Sequence, residues 1–168
     1  MKHGYFITGT DTGVGKTRAS VALLTTCNAL GFSTAAMKPV ATGCANTAQG
    51  LRNDDALILQ QYASLTLSYE QINPYAFAPA IAPHLAAAQV GQVIDLDRIK
   101  HAFGVLAVRA DVVIVEGVGG WSVPLNSDAT VASLARIIGL PVILVVAVRL
   151  GCLNHAMLTA ESIEQSDL

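Results

Sequence analysis

The stretch Gly9-Thr10-Asp11-Thr12-Gly13-Val14-Gly15-Lys16-Thr17 constrains this chain more than any other part of it. The apolar run Tyr5-Phe6-Ile7 precedes it and an apolar-periodic segment beginning at Ala19 follows, so a strand passes through a glycine-rich turn into a helix start. Such a turn aims several backbone N–H groups at one point. The helix N-terminus adds partial positive charge there and Lys16 a full one, which suits a polyphosphate. The Thr17 hydroxyl is then placed to hold a magnesium ion. The spacing departs from the P-loop pattern at position 10, which is Thr10 where a glycine is expected, while Gly9 stands one residue early. The chain therefore carries a P-loop variant.

Strand and helix signals alternate through the rest of the sequence. Residues 19–30 continue a helix that Gly31 closes. Thr34-Ala35-Ala36-Met37 reads as a strand ended by Pro39, which leaves Lys38 at the strand's carboxyl end. In an open parallel sheet that edge is where ligands sit. Residues 41–43 and 46–53 read as loop, and Asp54-Asp55 stand before the apolar start of a short helix, with Asp54 expected to cap it. Residues 65–88 read as an irregular connection with a helical piece at 85–88. Periodicity assigns no chemistry there, and His84 is left open between capping, packing and facing a substrate.

Residues 95–108 predict an amphipathic helix with Leu96, Ile99, Phe103, Leu106 and Ala107 on its buried side. Val112-Val113-Ile114-Val115 then suits a strand buried on both faces, ending in Glu116 and followed by Gly117-Val118-Gly119-Gly120-Trp121. This resembles a Walker B strand, which puts Glu116 at the same edge as the glycine-rich turn, where a carboxylate holds magnesium directly or through water. The competing reading, a carboxylate ending the strand in solvent, is disfavoured by the length of the apolar run. Trp121 reads as packing. Residues 130–138 form a helix stopped at Gly139, residues 141–146 a further buried parallel strand, and residues 156–163 a last helix. The alternation predicts a single α/β domain over residues 1–168: a P-loop NTPase-like, mostly parallel sheet flanked by helices in three α/β/α layers.

Composition narrows the function classes. Apolar residues make up 52% and charged residues 13%, enough to cover both sheet faces and leave apolar surface for a subunit interface. Net charge is −2 with no basic stripe, so the footprint of a nucleic-acid binder is missing and no nucleic-acid partner is expected. The longest apolar run, residues 140–148, contains a proline and is too short to span a bilayer, and the first residues lack a signal-peptide pattern. No membrane partner is expected, and the expected location is the cytoplasm. Cys27, Cys44 and Cys152 form no Cys-x-x-Cys pair, and His3, His84, His101 and His155 share no metal-ligand spacing.

Taken together, the turn from Gly9 to Thr17, Lys38-Pro39-Val40-Ala41-Thr42-Gly43, Leu51-Arg52-Asn53-Asp54-Asp55-Ala56, Val115-Glu116-Gly117-Val118-Gly119-Gly120-Trp121 and Gly151-Cys152-Leu153-Asn154-His155-Ala156 resemble the dethiobiotin synthetases of biotin biosynthesis. The resemblance runs in one order over essentially the whole chain. It implies a carbon-nitrogen ligase: 7,8-diaminononanoate takes up carbon dioxide (from bicarbonate) as a carbamate, ATP phosphorylates the carbamate, and the second amine closes the cyclic urea, releasing ADP and phosphate.

By that resemblance Gly13, Val14, Gly15, Lys16, Thr17 and Arg18 wrap the phosphates, and Lys16 also bridges the carbamate and the γ-phosphate. Thr17, Asp55 and Glu116 hold Mg2+, Lys38 stabilises negative charge at the carbamate, and Gly117, Val118 and Gly119 complete the phosphate side. Thr12 and Thr42 serve the substrate. Family members are homodimers, which implies that Gly151, Cys152, Leu153 and Asn154 receive the substrate carboxylate from the neighbouring subunit. Two departures stand out. Position 13 is Gly13 where some members carry glutamate, and the chain ends at Leu168 whereas members continue through another strand and the adenine-recognising segment. An alternative of another class is a deviant P-loop ATPase acting as a nucleotide-dependent dimerisation switch, which has no need of Lys38 and Thr42 beside a γ-phosphate.

Overall fold

The computed structural model describes residues 3–168. In chain order the elements are β1 (His3–Gly9), α1 (Lys16–Ala29), β2 (Thr34–Met37), β3 (Val40–Ala41), β4 (Ala45–Thr47), β5 (Gly50–Arg52), α2 (Asp54–Tyr62) and α3 (Tyr69–Ile72). They continue with β6 (Tyr75–Ala76), α4 (Pro83–Gln89), α5 (Leu96–Ala107), β7 (Val112–Glu116), α6 (Val131–Ile138), β8 (Val142–Val145) and α7 (Cys152–Glu164).

Among the described residues the main sheet has four parallel strands in the order β2-β7-β1-β8. Successive side chains of a strand face opposite sides, and each side here has its own core. Phe6, Ala35, Met37, Val113 and Val115 pack with Ile99, Phe103 and Leu106 of α5 and with Leu134 and Ile138 of α6. Ile7, Ala36, Val112 and Ile114 pack on the other side with Leu24 of α1 and Leu59 of α2. The three α/β/α layers expected from the alternation are the observed ones.

Register assembles the site. Met37 lies opposite Val115, and Ile7 opposite Glu116, so Lys38, Glu116 and the start of the glycine-rich turn emerge side by side at the carboxyl edge.

Several expectations are corrected. Residues 46–53 are mostly an antiparallel hairpin in which Ala45 pairs with Arg52 and Thr47 with Gly50, not a loop; its exposed polar side chains mask the pairing from hydropathy. Asp54 does not cap α2. Asn53 does, its side-chain oxygen accepting the Ala56 N–H, and Asp54 is the first helical residue, where a carboxylate favours the helix dipole. The connection over residues 65–88 contains α3, closed at its start by a Ser68/Gln71 capping box, the β3–β6 pair, and α4 with proline at its first position. Strand β8 is half-buried along its whole length, because it lies at the end of the strand order and pairs on one side with β1. Helix α1 begins at Lys16, at the end of the glycine-rich turn as expected, whereas α7 begins at Cys152 rather than Ala156. His84 follows Pro83 in α4, half-buried; it neither caps the helix nor lines the cleft described below, and Trp121 is core, 3% exposed. All three cysteines are free thiols, and no helix of the described residues is long and apolar enough to cross a membrane.

Candidate active site

The turn between β1 and α1 owes its shape to three glycines. Gly13 and Gly15 adopt φ of 73° and 104°, where a side chain is strained. At Gly9 a Cβ would come within 2.6 Å of the Val14 methyl, so the early glycine of this variant is the one that closes the loop, and Thr10 is tolerated after it. Among the described residues no side chain caps α1, and its first turn contains no acid. Its first N–H groups and its dipole are therefore available to an anion.

Lys16 lies folded over this turn, its Nζ donating to the Asp11 carbonyl at 2.8 Å and the Gly119 carbonyl at 2.7 Å. Burial pushes its pKa below the ordinary lysine value, and the nearby Lys38 charge pushes the same way against the pull of Glu116, Asp55 and Asp11. Asp11 itself is held below the usual carboxylate range by the Thr12 N–H and by the Arg149 guanidinium, which lies 2.9 Å away.

Lys38 is 4% exposed and Glu116 fully buried. The Lys38 ammonium donates to Glu116 Oε1 at 2.6 Å, to the Gly117 carbonyl at 3.2 Å and to Asp55 Oδ2 at 3.3 Å, so each of its three protons has an acceptor. Glu116 Oε1 also accepts from the Thr17 hydroxyl at 3.1 Å, and Oε2 lies 2.9 Å from the Ser20 hydroxyl. Burial pushes the Asp55 carboxyl up, but the Lys38 charge and its hydrogen bond outweigh it and hold the pKa below the ordinary aspartate value.

These groups share one cleft of about 710 Å³. Of the residues nominated from sequence, Thr12, Gly13, Gly15, Lys16, Thr17, Arg18, Lys38, Thr42, Asp55, Glu116, Val118 and Gly119 line it. Val14 is buried beneath the turn, and Gly117 sits behind Glu116 with its carbonyl on Lys38. Gly151, Cys152, Leu153 and Asn154 do not line the cleft; they form the largely exposed start of α7, with Gly151 at φ 92° and no side-chain cap among the described residues.

Sequence reasoning missed Ser20 and the apolar wall made by Val21, Ile58 and Tyr62. Local spacing carries a partial signal for Ser20, Ile58 and Tyr62. Lys16, Ser20 and Leu24 are the buried residues of α1 at i, i+4 and i+8, so Ser20 is a polar residue on the helix's core stripe. Ile58 and Tyr62 are exposed apolar residues four apart on α2.

An uncapped helix start behind a glycine-rich turn, a lysine folded over it, and a buried carboxylate at the next strand's end define a P-loop nucleotide-binding protein. The family described as AAA domain matches residues 3–168. An ATP-dependent dethiobiotin synthetase of Pseudomonas paraeruginosa is 58% identical over 160 residues, covering 95% of this chain and 70% of that protein. The synthetases of Xanthomonas euvesicatoria and Marinobacter nauticus are each 52% identical, over 100% and 99% of this chain and 75% and 72% of their own. The chain belongs to the dethiobiotin synthetase family.

Proposed function

We propose that this protein catalyses the ATP-dependent carboxylation and ring closure of 7,8-diaminononanoate with carbon dioxide, giving dethiobiotin, ADP and phosphate. The observation that carries the reading is the convergence of two buried ammonium groups, Lys16 and Lys38, with the carboxylates of Glu116 and Asp55 at the mouth of an uncapped helix. One amine of the diamine adds to carbon dioxide and loses a proton to give the carbamate. A carbamate oxygen attacks the γ-phosphorus as ADP leaves, and the second amine attacks the carbonyl carbon, expelling phosphate and losing a proton.

Phosphoryl transfer of this kind depends on positioning and charge stabilisation more than on covalent help from the protein. Residues Gly13 to Arg18 and Gly117 to Gly119 cradle the phosphates. Lys16 leaves its carbonyl partners to bridge the γ-phosphate and the carbamate, and Lys38 neutralises charge on the carbamate. Thr12 and Thr42, which line the same cleft, orient the substrate.

Thr17, Asp55 and Glu116 would hold Mg2+. Their donors are all oxygen, as that hard cation requires, and Glu116 Oε1 and the Thr17 hydroxyl already meet at 3.1 Å. An ion held there would supply positive charge against the transferring phosphoryl group.

A homodimer fits the exposed apolar side chains Val148, Leu150, Leu153 and Met157 along α7 and the segment before it. In that dimer Gly151 to Asn154 of one subunit offer a helix N-terminus to the substrate carboxylate in the cleft of the other. We assign the protein to the cytoplasm and read residues 1–168 as one domain.

The test is ADP release with each component omitted in turn. Release that requires both the diamine and bicarbonate supports the ligase. Equal ATP hydrolysis without them gives the site to a nucleotide-driven switch.

A further inference from the structure

Lys38 and Asp55 reach the cleft from separate elements, the end of β2 and the first turn of α2, with the β4–β5 hairpin between them in sequence. The parallel sheet does not by itself fix their 3.3 Å contact. A line of buried polar groups from α3 and the residue after it joins the two elements. The Lys38 N–H donates to the Ile72 carbonyl at 2.8 Å, and the Lys38 carbonyl accepts from Asn73 Nδ2 at 2.7 Å. Asn73 Oδ1 accepts from the Tyr69 hydroxyl at 2.9 Å, and that hydroxyl accepts from the Asn53 N–H at 2.7 Å. Asn53 is the cap of α2, two residues before Asp55.

The direction of every bond in this line follows from the chemistry of its members. A backbone N–H only donates, so the Tyr69 oxygen accepts from Asn53 and sends its own proton to Asn73 Oδ1. That orients the amide, whose Nδ2 then faces the carbonyls of Lys38 and Tyr75. Tyr69 is 6% and Asn73 3% exposed, and the Arg52 guanidinium lies 4.2 Å over the Tyr69 ring on its remaining side. If this space needed only filling, phenylalanine would serve as well as tyrosine.

We propose that Tyr69 and Asn73 are positioning residues for phosphoryl transfer. They hold the backbone of Lys38 to the start of α2 and so set the approach of the Lys38 ammonium to the Asp55 carboxylate, touching neither nucleotide nor substrate. This inference rests on the roles proposed above for Lys38 and Asp55.

The substitution Tyr69→Phe keeps the ring, its volume and the Arg52 contact and removes the hydroxyl alone. Assayed well below its measured Tm, with ATP, diamine and bicarbonate, Tyr69→Phe is expected to lose about 10- to 10²-fold in kcat, the scale of a slight misplacement of reacting groups, while KM for ATP stays within about twofold because the glycine-rich turn is untouched. On a Lys38→Ala background the same substitution is expected to cost little more. Wild-type kcat in Tyr69→Phe, or an equal further loss on the Lys38→Ala background, overturns the inference while leaving the site reading intact. Near-normal turnover by Lys38→Ala overturns the site reading itself.

Discussion

The Lys38 ammonium lies 2.6 Å from Glu116 Oε1, in a pair whose two side chains are almost wholly shut off from water. Neither charge is tolerable there alone, because an ion taken out of water without a partner loses several kcal/mol of solvation. Lys38→Ala is therefore expected to lower unfolding stability by about 3–5 kcal/mol, measured by urea titration, and pairing it with Glu116→Gln is expected to recover part of that loss. Lys38 also pairs with the two carboxylates proposed to hold Mg2+, and without nucleotide it competes with the cation for them. Titrating Mg2+ without nucleotide into Lys38→Ala should give a larger rise in Tm than in the parent chain.

Loss of either ammonium should also be felt in turnover. Lys16→Ala and Lys38→Ala are each expected to reduce kcat for dethiobiotin formation by about 10²- to 10³-fold, the usual effect of removing one donor aimed at developing negative charge. Near-normal turnover by both variants would reject their assigned roles.

The depressed pKa of Lys16 predicts an alkaline limb. The ratio kcat/KM for ATP reports ionisations of the free enzyme, so it should decline on the alkaline side beginning below pH 10.5, the ordinary lysine value. In Lys16→Arg, whose charge does not titrate in that range, this limb should disappear. The stability effect has the opposite sense. Between the lowered folded value and 10.5 the unfolded chain binds more protons at Lys16, so its contribution to stability rises with pH as a buried charge is relieved.

Ser20 gives a separable prediction. Its hydroxyl is fully buried and lies 2.9 Å from Glu116 Oε2 and 3.0 Å from the Lys16 carbonyl. Ser20→Ala removes a donor from a buried carboxylate and is expected to cost about 1–3 kcal/mol by urea titration. A variant as stable as the parent would mean that Glu116 is held by Lys38 and Thr17 alone.

Much of this arrangement was legible in the sequence, and the reasons are physical. Strands β2 and β7 have the bounds their residues suggest, since Thr34–Met37 and Val112–Glu116 are buried along their length and end at residues that stop or charge the strand. The three charged groups Lys16, Lys38 and Glu116 were legible because a parallel sheet delivers every strand end to one edge. The burial of β8 was misjudged because an apolar run reports the residues of a strand and not its place in the sheet order. The β4–β5 hairpin was hidden by its polar, exposed side chains.

Ser20 and the Tyr69–Asn73 line escaped for another reason. A buried polar group is recognisable by its partner, and Ser20 lies 96 residues from Glu116, as Asn73 lies 35 from Lys38. No local period encodes those distances. Asp55 is intermediate: its place at a helix start is local, but its contact with Lys38 depends on how α2 is tied to the end of β2.

Incubating the purified chain with ATP, Mg2+, 7,8-diaminononanoate and carbon-13 bicarbonate and weighing the organic product tests the ligase activity itself. The expected product is the cyclic urea carrying one heavy carbon, formed in step with ADP and absent when ATP is omitted. ADP accumulating while the diamine stays unchanged would rule out the ligase.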